Sequence, residues 1–168
     1  MHKYIGAFLV AAGSAAIGMV TVISQKRHIQ LLDELCASLR LMSAELGTRL
    51  RPLPELICEL SEKGDSVSEF YGDIAGRLDF IGETDFSVLW SDAVENIQLL
   101  SADERETMNR LGAVLGRYEL REQLDSIDIC LDALTRSVLG LRAEYPCRRR
   151  LFLGLSAAAG LMILIILI

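Results

Sequence analysis

Histidine is nearly missing from this 168-residue chain, which has only His2 and His28. Tryptophan occurs once, proline three times, and aromatic residues make up 6%. So little imidazole leaves few routes to acid–base catalysis near neutral pH or to a histidine-bearing metal site. Cys36, Cys58, Cys130 and Cys147 form no C-x-x-C pair and have no histidine at ligand spacing, which argues against zinc. No glycine-rich phosphate loop is present either, because Gly112 and Gly116 sit in a helical pattern with no Gly-Lys-Ser/Thr after them. Charge is absent from both ends: there is none between Tyr4 and Gln25 and none from Leu151 to Ile168. No basic face is free to neutralise phosphates, since the formal net charge is −6; nucleic acid is therefore not an expected partner.

What is present is apolar at the ends and acidic between them. The run Ile5–Ser24 is about 30 Å long at about 1.5 Å per residue, and Leu151–Ile168 about 27 Å. Both match the hydrocarbon core of a bilayer, with Arg148, Arg149 and Arg150 able to snorkel at the second. A cleavable signal peptide is the competing reading of the first run, but the run is too long and Lys26-Arg27 follows at once. A buried core helix is the competing reading of the last, but 161–168 is apolar on every face. We therefore expect an N-terminal transmembrane helix in 1–24, a cytoplasmic all-helical domain in 25–150 and a C-terminal transmembrane helix in 151–168. Lys26, Arg27, Arg40, Arg136, Arg142 and Arg148–Arg150 flank the middle, so the positive-inside rule puts it in the cytoplasm.

The middle reads as all-α. Leu32, Leu35, Leu39, Met42 and Leu46 form a heptad seam, and Pro52 and Pro54 close that helix near Leu50. Leu53, Leu56, Ile57 and Leu60 supply a second stripe that ends at Gly64. Ser66-x-x-Glu69 and Ser101-x-x-Glu104 read as capping boxes, the first leading to Phe70, Ile74 and Leu78, the second to Met108, Leu111 and Leu115. Between them, Phe86, Leu89, Trp90, Ala93 and Ile97 face inward after Thr84. Leu120, Leu124, Ile127, Leu131, Leu134, Val138, Leu141 and Tyr145 repeat without a fault. The seam helices 25–47 and 119–145 should pair antiparallel, as a long coiled-coil-like hairpin whose far end the shorter helices cap. Pro146 predicts a kink or break at Tyr145–Arg148. Ser14-x-x-x-Gly18 and Ser156-x-x-x-Gly160 offer close-packing stripes in the membrane.

The remaining candidates are structural first. The four cysteines read as small core residues, with acylation of Cys147 as the alternative. Asp103, Glu104 and Glu106 suit a helix N-terminus. Asp125, Asp128 and Asp132 line one face, solvated or able to dock a basic partner. Gly112 and Gly116 put two bare positions on one helix face, for a tight crossing within the domain or for a subunit contact.

Several of these residues carry a resemblance. Lys3-Tyr-Ile-Gly-Ala, Glu45 ahead of Pro52-Leu-Pro-Glu55, Leu111-Gly-x-x-Leu-Gly116 and the apolar end together resemble the stage III sporulation protein AB family, over nearly the whole chain. Thr48-Arg49 and Arg51-Pro52 depart from the Tyr-Gly and Thr-Pro expected there. That family resembles the inner-membrane platform protein of type II secretion and type IV pilus machines. The resemblance implies a non-enzymatic scaffold in the mother-cell membrane facing the forespore, part of a channel complex between the two cells. It implies no cofactor and no catalytic residue. Its implied partners are the bilayer, other membrane subunits of the same complex and a cytoplasmic secretion-type ATPase, with self-association left open. The partner surface is expected at Glu45, Pro52, Leu53, Pro54, Glu55, Gly112 and Gly116. A membrane-anchored helical sensor or signalling coiled coil is the competing class, disfavoured by the lack of an external segment.

Overall fold

In the computed structural model the backbone is described for residues 2–78 and 85–167, and side chains for 23–78 and 85–143. Six α-helices and no strand occur among the described residues: α1 (His2–Ala44), α2 (Leu53–Ser61), α3 (Ser68–Ala75), α4 (Phe86–Asn96), α5 (Ala102–Val114) and α6 (Leu120–Leu167). The all-α reading holds. α1 leads into a π-helical turn, Glu45–Arg49. The chain divides into two compact units, one of residues 1–29 with 139–168, the other of 30–138.

In the first unit, Gln25 Nε2 donates to the Leu141 carbonyl at 3.5 Å, so the two chain segments meet there. The expected membrane spans, their small-residue stripes, Tyr145 and Cys147 involve side chains outside the described residues. Among the described residues no helix is long and apolar enough to cross a membrane. Of the kink or break expected at Tyr145–Arg148, the break is not found: α6 continues through it to Leu167. One missing N–H at Pro146 removes a single bond from a 48-residue ladder, whose neighbouring turns keep theirs.

In the second unit the seam is buried as its spacing predicts: Leu32, Leu35, Leu39 and Met42 at 0% exposure, Leu46 at 6%. Each such leucine contributes about 2 kcal/mol of burial. α6 answers with Ile127, Cys130, Leu134 and Val138 buried, while Leu120, Leu124 and Leu131 are half-covered. Cys36 Sγ meets Thr135 Oγ1 at 4.0 Å and Gly47 lies beside Leu124, so the two segments run antiparallel.

The shorter helices do not cap an end of this pair. The Ser66 N–H donates to Glu34 Oε2 at 2.7 Å, and Ser38 Oγ bonds Tyr71 Oη at 2.8 Å, so α3 lies along the flank of α1. The reason is the width of the apolar face of α1: Leu31, Cys36 and Ser38 are buried beyond the seam, and one partner helix cannot cover them all. The capping box expected at Ser66 is also absent. α3 starts at Ser68 with Val67 before it, and Ser68 Oγ accepts the Asp65 N–H and donates to Asp65 Oδ1. No side chain caps α3; the Ser66 N–H goes to Glu34 instead of Glu69, which is exposed. Leu78 falls beyond α3 and is half-buried. In α4, Leu89, Trp90, Ala93 and Val94 form the inward face, with Phe86 and Ile97 half-buried at its ends. At α5 the second capping box is complete: Glu104 N–H to Ser101 Oγ at 3.4 Å, Ser101 N–H to Glu104 Oε2 at 2.9 Å. Leu100, just before it, is buried.

Candidate functional site

The turn between α1 and α2 gathers most of the residues expected to meet a partner. Its shape begins with Leu46, buried, and Gly47, where an added Cβ would stand 3.4 Å from Leu124 Cδ1 of α6. The π turn ends at Leu50, whose φ of 51° is left-handed and whose N–H reaches back to the Glu45 carbonyl. The Arg51 N–H shares that acceptor at 3.5 Å. Glycine or asparagine usually takes such a helix end; in leucine the conformation costs about 1 kcal/mol. Leucine at this position is 70% exposed.

Arg51 then ties the two helices together. Its Nη1 donates to Glu59 Oε2 at 2.6 Å and lies 3.6 Å from Glu45 Oε2, and its Nε is 3.8 Å from Glu55 Oε2. Glu45 also pairs with Arg49 at 2.9 Å. The bond from Glu59 holds the Arg51 guanidinium above its ordinary value, so its charge is permanent. Pro52 caps α2 in an extended conformation, and its carbonyl accepts the N–H groups of Glu55 and Leu56. Pro54 stands in the first turn of α2, where no intrahelical partner for an N–H exists.

The loop between α5 and α6 joins this surface. Gly116 has φ +77 and lies past the end of α5, so its role is backbone conformation rather than a bare helix face. Its missing Cβ would be 3.8 Å from Leu53 Cδ2. Gln123 clamps the loop, accepting the Gly116 N–H at 3.2 Å and donating to the Tyr118 carbonyl at 2.7 Å. Glu45, Pro52, Leu53, Pro54, Glu55 and Gly116 are therefore brought to one region. Gly112 is not. It is buried on α5, and a Cβ there would stand 2.1 Å from Trp90 Cδ1. Its bareness accommodates an indole inside the domain. That indole donates to the Met108 carbonyl at 2.8 Å and packs edge-on against Phe70 at 5.0 Å.

Reactive groups are held quiet. Burial pushes the Cys130 thiol up to about 12, and it raises Cys36 despite a hydrogen bond to Thr135. Both are core residues as expected; Cys58, on α2, is exposed instead because α2 buries Leu56, Ile57 and Leu60 on its other side. Asp125, Asp128 and Asp132 are all exposed on α6. A groove of about 730 Å³ in the second unit has Leu31, Phe70, Ala93 and Ile97 in its lining. Its carboxylates are Glu69 and Asp73, the latter paired with Arg77. Among the described residues no group of three His, Cys, Asp or Glu is placed to hold a metal ion.

Two of these features escape sequence reasoning. Nothing in the letters flags Leu50 as left-handed, since leucine has no preference for that region. The Ser38–Tyr71 bond joins polar groups 33 residues apart, which no local pattern relates.

The fold and this surface define a class: an all-helical protein built on an antiparallel helix pair, with a braced turn at the end of one seam helix. Within that class the chain belongs to the stage III sporulation protein AB family, whose family model matches residues 3–168. It is thus a protein of the third stage of sporulation. No curated protein and no solved structure matches it.

Proposed function

We propose that this chain is a non-enzymatic platform subunit of a secretion-like channel complex between mother cell and forespore during endospore formation, and that it docks a cytoplasmic secretion-type ATPase. The observation that carries the reading is the span of the family match, which takes in both charge-free ends as well as the acidic helical middle. In this reading residues 5–24 and 151–168 cross the mother-cell membrane and hold residues 25–150 on the cytoplasmic side. Two tethers restrict the orientation of the domain and raise the effective concentration of partners in the same membrane. The turn at Glu45–Glu55, with Gly116 beside it, is the docking face. Gly112 is no part of that face, because it is buried.

Two measurements test this. The full-length chain in lipid nanodiscs should retain a co-expressed secretion-type ATPase, and Pro54→Ala or Gly116→Val should weaken that retention. Failure to retain it, or turnover of a substrate by the chain alone, overturns the reading. For topology, a chain with Cys58 as its one cysteine should resist a membrane-impermeant maleimide in intact cells and react once they are opened. Labelling in intact cells would place the domain on the wrong side.

A further inference from the structure

We infer that the outer face shared by α1 and α6 docks a second copy of this chain, with Arg40 of each copy reaching between Asp128 and Asp132 of the other. Charge sets this face apart. Arg40, Asp128 and Asp132 are all exposed, and none of the three has an ion pair among the described residues. Every described arginine from Arg49 to Arg117 pairs instead with a carboxylate of its own chain. Ile129, next to Asp128, is 69% exposed within regular helix, so apolar surface accompanies the unmatched charge. The aspartates of α6 would repel the same helix of another copy. An arginine on α1 makes the combined face self-complementary.

Register brings the opposite charges to one level. Cys36 stands by Thr135 and Gly47 by Leu124, eleven residues further along α1 and eleven further back along α6. The two helices therefore keep step between these contacts. Arg40, four residues after Cys36, is level with Leu131, four before Thr135, and Asp128 and Asp132 bracket that level. A two-fold axis parallel to the helix pair sets α1 of one copy beside α6 of the other without changing any level. Arg40 then meets both aspartates, and symmetry makes the same contact twice. Leu41, half-buried and level with Cys130, comes beside Ile129 of the second copy. Ala37 and Ala44, exposed one turn to either side of Arg40, leave the second helix room to approach. The contact lies wholly in the second unit and is separate from the docking of an ATPase.

Exchanging the charges tests the pairing. The full chain in detergent micelles should dimerise across a dilution series followed by sedimentation. Arg40→Asp should raise the dissociation constant about tenfold or more, a loss of about 1.4 kcal/mol. Asp128→Arg with Asp132→Arg should weaken the dimer in the same way. All three substitutions together restore opposite charges and should recover most of the original affinity. Where Arg40→Asp unfolds the chain, Arg40→Gln gives the same reading at smaller amplitude. An original chain that stays monomeric overturns the proposal and leaves the platform reading standing. So does a dimer indifferent to both Arg40 variants, which another surface would be holding together. A triple variant no tighter than the charge-reversed chains makes the losses structural rather than a matter of pairing, and also ends it.

Discussion

At Gly112 a missing side chain makes room for the largest one in the protein. Adding a methyl 2.1 Å from Trp90 Cδ1 forces the indole off Phe70 and away from the Met108 carbonyl. Gly112→Ala should therefore lower unfolding free energy by about 2 kcal/mol, read from urea denaturation followed by Trp90 fluorescence. An unchanged midpoint would mean that the indole has another place to go. Titration works on a second set of buried residues. Cys130 ionises near 9.0 when unfolded and only at about 12 in the fold, and burial raises Tyr71 from 10.0 in the same direction. A group with a raised folded value contributes its full stability below the unfolded value and loses it as pH climbs toward the folded one. Stability should thus be flat below pH 9 from these groups and fall above it. Cys130→Ala should make that fall shallower, a comparison urea midpoints in alkaline buffers can make.

Single helices show which physical signals the letters carry. Heptad burial of Leu32, Leu35, Leu39 and Met42 was readable because a helix converts spacing directly into a face. The box at Ser101 and Glu104 was readable for the same reason: both partners lie within one turn. Removing it with Ser101→Ala should cost about 1 kcal/mol, seen as a lower urea midpoint, and Ser101→Asp should restore most of it. The apparent box at Ser66 has the same letters and a different outcome, since Glu34 takes the Ser66 N–H and α3 starts two residues later, at Ser68. Gly116 looked helical because it stands four residues after Gly112, but α5 stops at Val114. What stayed hidden depends on contacts between distant segments, such as Trp90 over Gly112, or on a backbone state that leucine does not advertise.

Across the whole molecule, the antiparallel pairing of α1 and α6 was legible from two uninterrupted seams, whereas the lateral position of α3 was not. It follows from the extra buried width of α1, set by Leu31, Cys36 and Ser38 together. The register has a direct chemical test. Thr135→Cys should form an internal disulfide with Cys36 on mild oxidation, because the present side chains already stand 4.0 Å apart. The oxidised chain should migrate faster without reductant; a failure to cross-link would mean that the pairing is out of step. The wide turn at Glu45–Arg49 adds a constraint of another kind. A π turn takes up about one residue more than an α turn, so deleting Gly47 would close the segment into ordinary helix with nearly the same bearing after it. Leu50 would keep its bearing, and the guanidinium of Arg51 would still face its three carboxylates. Homologues shortened by one position at this bend can therefore bring their chain into α2 along the same path.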